Sequence, residues 1–333
     1  MNTLGRLFRI SIFGESHGQS VGMLIDGCPA GLELKEEDFR SDLERRKSGR
    51  PGTTPRREED IPRIGSGLFQ GKTTGSPMVI TFENRDTDSS AYDRIRTTPR
   101  PGHADFVAFQ KFGGFNDYRG GGVFSGRLTA PLVAAGVIAK ILIHPATVQA
   151  RLLEVGGSPE IEEAVTKAMA ADDSIGGIIE CRATGLPVGL GEPFFDSVES
   201  LLSHLIFSIP GIKGIEFGAG FACARMTGSE YNDRILSLSG ETETNNSGGI
   251  NGGITNGNEI VIRVAVKPTS SISTPQTTVD LETGKLRELR VGGRHDTCIA
   301  LRIPVIVEAA TAIVLADLMM MEQRIPRIWN RSE

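Results

Sequence analysis

The sequence predicts one intertwined α/β domain, on three observations. Apolar periodicity runs through nearly all of the 333 residues, with no linker rich in Pro, Ser or charge and no break in composition. From Arg151 onward, stretches with strand and helix patterns alternate. Two distant segments, Gly71-Lys72-Thr73-Thr74-Gly75 and Gly253-Ile254-Thr255-Asn256-Gly257, read Gly-x-Thr-x-Gly and run into an apolar strand, as an internal duplication would leave them. With 39% hydrophobic residues the chain can bury one large core or two ordinary ones. The continuity favours one.

The elements follow in order. Leu7–Phe13 and Val21–Ile25 predict two strands that flank the loop Gly14-Glu15-Ser16-His17-Gly18. Asp26-Gly27 and Pro29-Ala30-Gly31 are turn signals. Lys35–Lys47 is polar with Phe39 and Leu43 four apart, a modest amphipathic helix. Pro77–Phe82 predicts a strand and Ala104–Phe112 a helix. Ala130–Ile143 is apolar nearly all round, which predicts a helix buried on most sides. Pro131 falls in its first turn, where the missing N–H is tolerated. The second half reads as strand Leu152–Val155, helix Pro159–Met169, strand Gly177–Thr184, helix Asp196–Phe207 and short strands Ile212–Gly218 and Phe221–Met226. A long Asn-, Ser- and Gly-rich loop, Thr242–Gly257, then feeds the strand Glu259–Val266, and Pro304–Met321 is a long apolar helix. The domain is expected to span 1–325, with 326–333 a polar, peripheral tail.

Composition excludes several classes. The net charge of −5 is not that of a polybasic nucleic-acid binder. Cys28, Cys181, Cys223 and Cys298 form no CxxC pair, and no HxH or HExxH occurs, so neither a metal site nor a disulfide framework is indicated. Scattered thiols suit a reducing cytoplasm. No N-terminal secretory pattern is present, and no apolar run approaches the ~18 residues of a membrane span. A cytoplasmic protein that binds neither membrane nor nucleic acid is expected.

Chemistry concentrates in a few loops. His17 sits between two glycines past a strand end, where a ligand can approach closely and the imidazole can exchange a proton near neutrality. The same stretch matches GxSxG, but a nucleophile elbow needs a helix straight after it, and a strand pattern follows here. Arg40, Arg45, Arg46, Lys47, Arg50, Arg56 and Arg57 form a basic block, either a solvated loop or a clamp for an anion. Arg100-Pro101-Gly102-His103-Ala104-Asp105 places His103 near a helix start, as a cap or as a site residue. Tyr118-Arg119-Gly120-Gly121-Gly122 leads to Ser125 and Arg127 before a helix, an arrangement that suits an anion. It is neither a Walker A loop nor a dinucleotide fingerprint. Lys267-Pro268-Thr269-Ser270-Ser271 offers a cation and three hydroxyls past a strand, for a phosphate or a plain turn. Gly293-Arg294-His295-Asp296 can hold a base and its partner, or an ion pair at a helix start. Together these residues describe a site for multiply anionic ligands with histidines for proton transfer.

In order and spacing, these loops together with Asp26-Gly27-Cys28-Pro29 resemble the chorismate synthase family over essentially the whole chain. The resemblance implies a lyase that eliminates phosphate from 5-enolpyruvylshikimate 3-phosphate, in the anti-1,4 sense, to give chorismate, the seventh step of the shikimate pathway. It implies reduced FMN as cofactor, with NADPH or a separate flavin reductase as the source of electrons. The implied fold is an α/β (α+β) sandwich with central helices between two antiparallel β-sheets and an internal pseudo-duplication, assembled as a homotetramer. His17 is then the proton donor to the departing phosphate, while His103 and Asp296 manage protons at the flavin. Arg45, Arg46, Arg100 and Arg127 face the substrate, and Arg46 and Arg50 the NADP nucleotide. Ser125, Pro210, Gly211, Gly252, Lys267, Pro268, Thr269, Ser270, Ser271 and Arg294 match FMN-contacting segments. The chain departs from the family at Val123-Phe124-Ser125, where many members have Arg-Ser-Ser, and at Thr297, often a proline. A non-enzymatic polyanion- or nucleic-acid-binding protein using the block 40–57, or a metal- or nucleotide-dependent phosphatase, is the competing class.

Overall fold

The computed structural model describes residues 2–89, 92, 95–292 and 295–329. The first half runs β1 (Thr3–Leu4), β2 (Arg9–Gly14), β3 (Ser20–Asp26), α1 (Arg40–Arg46), β4 (Arg63–Ile64), β5 (Leu68–Phe69), β6 (Lys72–Thr73), β7 (Met78–Glu83), α2 (Asp105–Phe112) and α3 (Thr129–Leu142). The second runs β8 (Thr147–Val155), α4 (Ile161–Ala170), β9 (Gly177–Thr184), α5 (Val198–Ile206), β10 (Ile212–Phe217) and the single turn α6 (Gly228–Tyr231). It ends with β11 (Ile250–Asn251), β12 (Ile254–Thr255), β13 (Ile260–Val266), β14 (Gln276–Val279), β15 (Leu286–Leu289) and α7 (Pro304–Met321).

Two antiparallel sheets, ordered β1-β2-β3-β7-β4 and β10-β13-β9-β8, enclose two helices. Helix α3 packs on β2, β3 and β7, α7 packs on β8 and β9, and the two helices pack on each other. Their composition dictates this place. All of α3 except Lys140 and Ile141 is buried, as is α7 from Val305 to Met319. Gly136 lets the helices meet: a Cβ there would lie 2.2 Å from that of Ala309. Helix α7 is long and apolar enough to cross a membrane by composition, but it is mostly buried inside the fold as its core. The sheets turn alternate residues inward, such as Val21, Met23 and Ile25 of β3 and Ile260, Ile262 and Val264 of β13.

The two halves repeat each other. The neighbours β2-β3-β7 match β8-β9-β13 in order. Pro29-Ala30-Gly31-Leu32 follows β3, and Pro187-Val188-Gly189-Leu190 follows β9. Each Gly-x-Thr-x-Gly threonine clasps the matching segment through the same four hydrogen bonds. Thr73 donates from N to Leu32 O (2.9 Å) and from Oγ1 to Pro29 O (2.6 Å), and accepts from Leu32 N (2.9 Å) and Gly31 N (2.8 Å). Thr255 does so with Leu190 O (2.9 Å), Pro187 O (2.7 Å), Leu190 N (2.9 Å) and Gly189 N (3.0 Å).

Three local readings change. Phe221–Met226 is not a strand: Gly220–Arg225 forms a 3-10 turn, because the chain reverses at Gly218 and Gly220 (φ +55° at both) and Glu216 accepts from Phe221 N. The loop Thr242–Gly257 contains the hairpin β11–β12, whose two-residue turn, Gly252-Gly253, has positive φ at both positions. The hairpin β14–β15 carries no apolar alternation that would have announced it. The described part of the tail is pinned: Ala30 N donates to Arg327 O, and Trp329 N donates to Ala30 O.

Candidate active site

The loops converge on two adjoining cavities of about 220 and 500 Å³. Both are lined by Gly120, Ser125, Gly126, Thr269, Asp296 and Arg302, so they share a wall. The β2–β3 loop brings Ser16 and His17, and the end of α1 brings Arg46. Loop residues 54–60 add Thr54, Arg56, Glu58 and Asp60, and the approach to α2 adds Arg100 and His103. The exit of β13 brings Lys267 and Thr269–Ser271, and the approach to α7 brings His295, Asp296 and Arg302.

The glycine triplet runs between the two histidines. Gly120 has φ +58°, and a Cβ there would sit 2.4 Å from His17 Cδ2 and 2.5 Å from Nε2. Only glycine admits the imidazole at this point. A Cβ on Gly121 would make ordinary contact, 3.5 Å, with the His103 ring. His17 Nδ1 lies 2.8 Å from Ser89 Oγ, and Tyr92 meets the ring edge-on at 5.3 Å. Burial, then the positive charges of Arg56 and Arg119, hold the His17 pKa below its ordinary value, and Asp117 and Asp88 only partly oppose them. His103 Nδ1 lies 2.6 Å from Asp105 Oδ1, which fixes the proton on Nδ1 and leaves Nε2 as the other ring nitrogen. Burial works to raise the Asp105 pKa, but hydrogen bonds from Arg100 and His103 outweigh it and hold the carboxyl well below the usual range. Arg100 is buried, donating to Asp105 (2.7 Å) and Ser271 Oγ (3.0 Å).

Carboxylates back the other arginines. Arg46 and Arg127 both donate to the buried Asp60. Arg56 donates to Ser16 Oγ (2.9 Å) and Glu58 (2.7 Å). Arg302 reaches Asp296 at 3.3 Å and donates to the Arg46 carbonyl at 2.9 Å. The Asp296 carboxylate also accepts from Thr54 N at 2.9 Å. Two polar atoms on this lining, Arg46 Nε and Thr269 Oγ1, are buried without a protein partner, and such atoms mark a place for a ligand. The larger cavity has apolar walls (Val123, Phe124, Pro210, Ile299, Ile303, Ile306) and the lysines Lys213 and Lys267. Its volume, walls, cations and orphaned threonine hydroxyl fit a planar heteroaromatic group with an anionic tail, such as FMN.

The smaller cavity gathers His17, Arg46, Arg100, Ser125, Arg127, Thr269 and Asp296 of the expected residues. The larger gathers His103, Ser125, Pro210, Gly211, Lys267, Thr269, Ser270, Ser271 and Asp296. Four expected residues line neither. Arg45 turns the other way, into an ion cluster with Glu308 (2.6 and 2.7 Å) that also holds Lys140 and Asp42. Adjacent helical positions face about 100° apart, so Arg46 points in and Arg45 out. Arg50 is exposed on its loop, Gly252 makes the β11–β12 turn, and Pro268 joins Lys267 to Thr269 without lining either cavity. Arg294 lies outside the described residues. Sequence reasoning passed over Ser16, Asp60, Lys213 and Arg302 as site residues. Ser16 stands beside His17 in the Gly14–Gly18 loop; the other three carry no local signal, because only tertiary folding brings them in.

Comparison with known proteins agrees along the whole chain. The chorismate synthase family model matches residues 8–320. A chorismate synthase of Chitinophaga pinensis is 61% identical over 331 residues, covering 99% of this chain and 100% of its own. One of Dehalococcoides mccartyi is 47% identical over 359 residues, covering 98% and 99%. A solved structure described as a crystal structure of chorismate synthase superposes with a TM-score of 0.74 at 27% identity, covering 96% of this chain and 93% of the other. The chain therefore belongs to the chorismate synthase family.

Proposed function

We propose that the two cavities jointly carry out the anti-1,4-elimination of phosphate from 5-enolpyruvylshikimate 3-phosphate to chorismate, with substrate in the smaller and reduced FMN in the larger. The observation that carries this reading is the shared wall: the two cavities adjoin along Gly120, Ser125 and Thr269, with His17 lining the smaller and His103 the larger. Lys213, Lys267, Thr269 and Ser270 would hold reduced FMN in the larger cavity, where it would supply electron density for the breaking of the substrate C–O bond.

The chain's own residues bind, orient and move protons. Arg46, Arg56, Arg100 and Arg127 hold two carboxylates and a phosphate in an overall acidic protein. His17 gives a proton to the departing phosphate, which lowers its barrier to leave. Its pKa is depressed in the free protein, and a phosphate dianion beside it opposes the pull of Arg56 and Arg119. His103, held at Nδ1 by Asp105, exchanges a proton on the flavin side through Nε2. Asp296, on the shared wall, helps manage the proton at the flavin as the C6 hydrogen leaves.

Reduced FMN is supplied by a separate flavin reductase or regenerated with NADPH on the chain; turnover in air with NADPH and no added reductase separates the two. Exposed Phe194, Phe195, Phe221 and Leu238 support a homotetramer, which sedimentation tests. The scattered thiols support a cytoplasmic site. The deciding experiment for the reaction is anaerobic incubation with substrate and chemically reduced FMN. Equimolar chorismate and phosphate are expected, and phosphate release that ignores flavin would reject the reading.

A further inference from the structure

Asp60 is buried, its side chain fully so, between two site arginines. One oxygen accepts from Arg46 Nη2 at 2.5 Å and the other from Arg127 Nη1. The three residues come from separate segments: the end of α1, the loop before β4 and the turn before α3. Arg127 is steadied independently, donating to Asn84 Oδ1 (2.9 Å) and Glu83 O (3.0 Å). Arg46 is not. Its Nη1 reaches Thr129 only at 3.4 Å, and its Nε has no partner. Asp60 also has φ +53°, a left-handed conformation that non-glycine residues take only when their surroundings enforce it.

We infer that Asp60 is a positioning residue that sets Arg46 and Arg127 as a two-armed clamp for an anionic group, phosphate or carboxylate, in the smaller cavity. The carboxylate offsets the repulsion between the two guanidiniums and fixes which of their N–H groups face the ligand. This rests on the proposed substrate reading for the identity of the anion, but not for the clamp itself.

Asp60→Asn and Asp60→Gly test it. Asparagine tolerates the left-handed backbone and glycine adopts it freely, so both remove the carboxylate without forcing the turn. In anaerobic assays with reduced FMN, both variants should raise KM for 5-enolpyruvylshikimate 3-phosphate by about thirtyfold or more, as loss of one member of a buried charge pair does. Calorimetric binding of inorganic phosphate should weaken in parallel, while affinity for oxidised FMN stays near that of the unmodified protein. Unchanged KM and phosphate binding in either folded variant overturns the inference. So does a parallel loss of FMN affinity, or failure of both variants to fold, since either marks a general structural role. If the unmodified protein shows no turnover, the functional reading fails, and phosphate calorimetry still decides the clamp.

Discussion

The His17 pKa is held below its ordinary value in the free protein by burial and by Arg56 and Arg119, and this has measurable consequences. Because the folded pKa is depressed, the folded state binds fewer protons than the unfolded one between the two values. This contribution to stability is present above the ordinary 6.5 and is lost as pH falls through the folded value. By NMR, the His17 imidazole should titrate below 6.5, and Arg56→Gln should move it upward; a downward or absent shift contradicts the electrostatic account. His17→Ala should keep FMN binding, since the ring lines only the smaller cavity, and lose most turnover, about 100-fold as for a general acid. Unchanged turnover removes His17 from the chemistry. At this scale the sequence was most readable where a residue sits in a loop motif: His17, His103, Asp296 and Thr269 all reach a cavity. Arg45 shows the limit. It is chemically identical to Arg46, and only its helical phase sends it to Glu308 instead.

The Gly120–Gly122 turn is the element on which the two-sided site depends. Gly120→Ala would add a left-handed strain and drive a methyl into the His17 ring, so turnover should fall far more than FMN affinity. An unaffected rate would show that His17 need not stand there. The basic block, which read either as a solvated loop or as a clamp, divides. Arg46 and Arg56 turn inward onto Asp60, Ser16 and Glu58, whereas Arg50 stays outside. That division disfavours one basic face for a polyanion. Between α1, α3 and α7, Glu308 joins Arg45 and Lys140. Burial alone would raise its pKa, but the hydrogen bonds and charges of Arg45 and Lys140 outweigh this and lower it. Glu308→Gln should therefore destabilise the fold at neutral pH by about 1–3 kcal/mol, less than for a fully buried pair because Arg45 is 40% exposed. The loss should shrink as pH falls through the folded Glu308 pKa, and urea melts in neutral and acid buffer read it. A pH-independent difference would mean that the cost is packing alone.

Over the whole molecule, the layered fold follows from two helices too apolar to face water on any side. Both were legible by length and composition, as were the long strands except the first five residues of β8, Thr147 to Arg151. The duplication showed in five residues of sequence, yet in the structure it extends to the same four-bond threonine clasp and the same strand order. The rest was hidden because each threonine's partners are backbone carbonyls and amides, which do not depend on side-chain identity. The core also predicts thiol behaviour. Burial pushes Cys28 and Cys181 up to about 12, and Cys298 upward as well. These three should resist a thiol reagent in the native protein and react once it is unfolded. Fast native labelling of all three would argue against the packed core.

Whether flavin and substrate meet across one wall is decided by a crystal structure of the ternary complex with oxidised FMN and 5-enolpyruvylshikimate 3-phosphate. The flavin ring is expected in the larger cavity beside His103, Pro210 and Lys267, and the substrate phosphate within hydrogen-bond reach of His17. Flavin seated in the smaller cavity, or substrate bound away from His17, would contradict it.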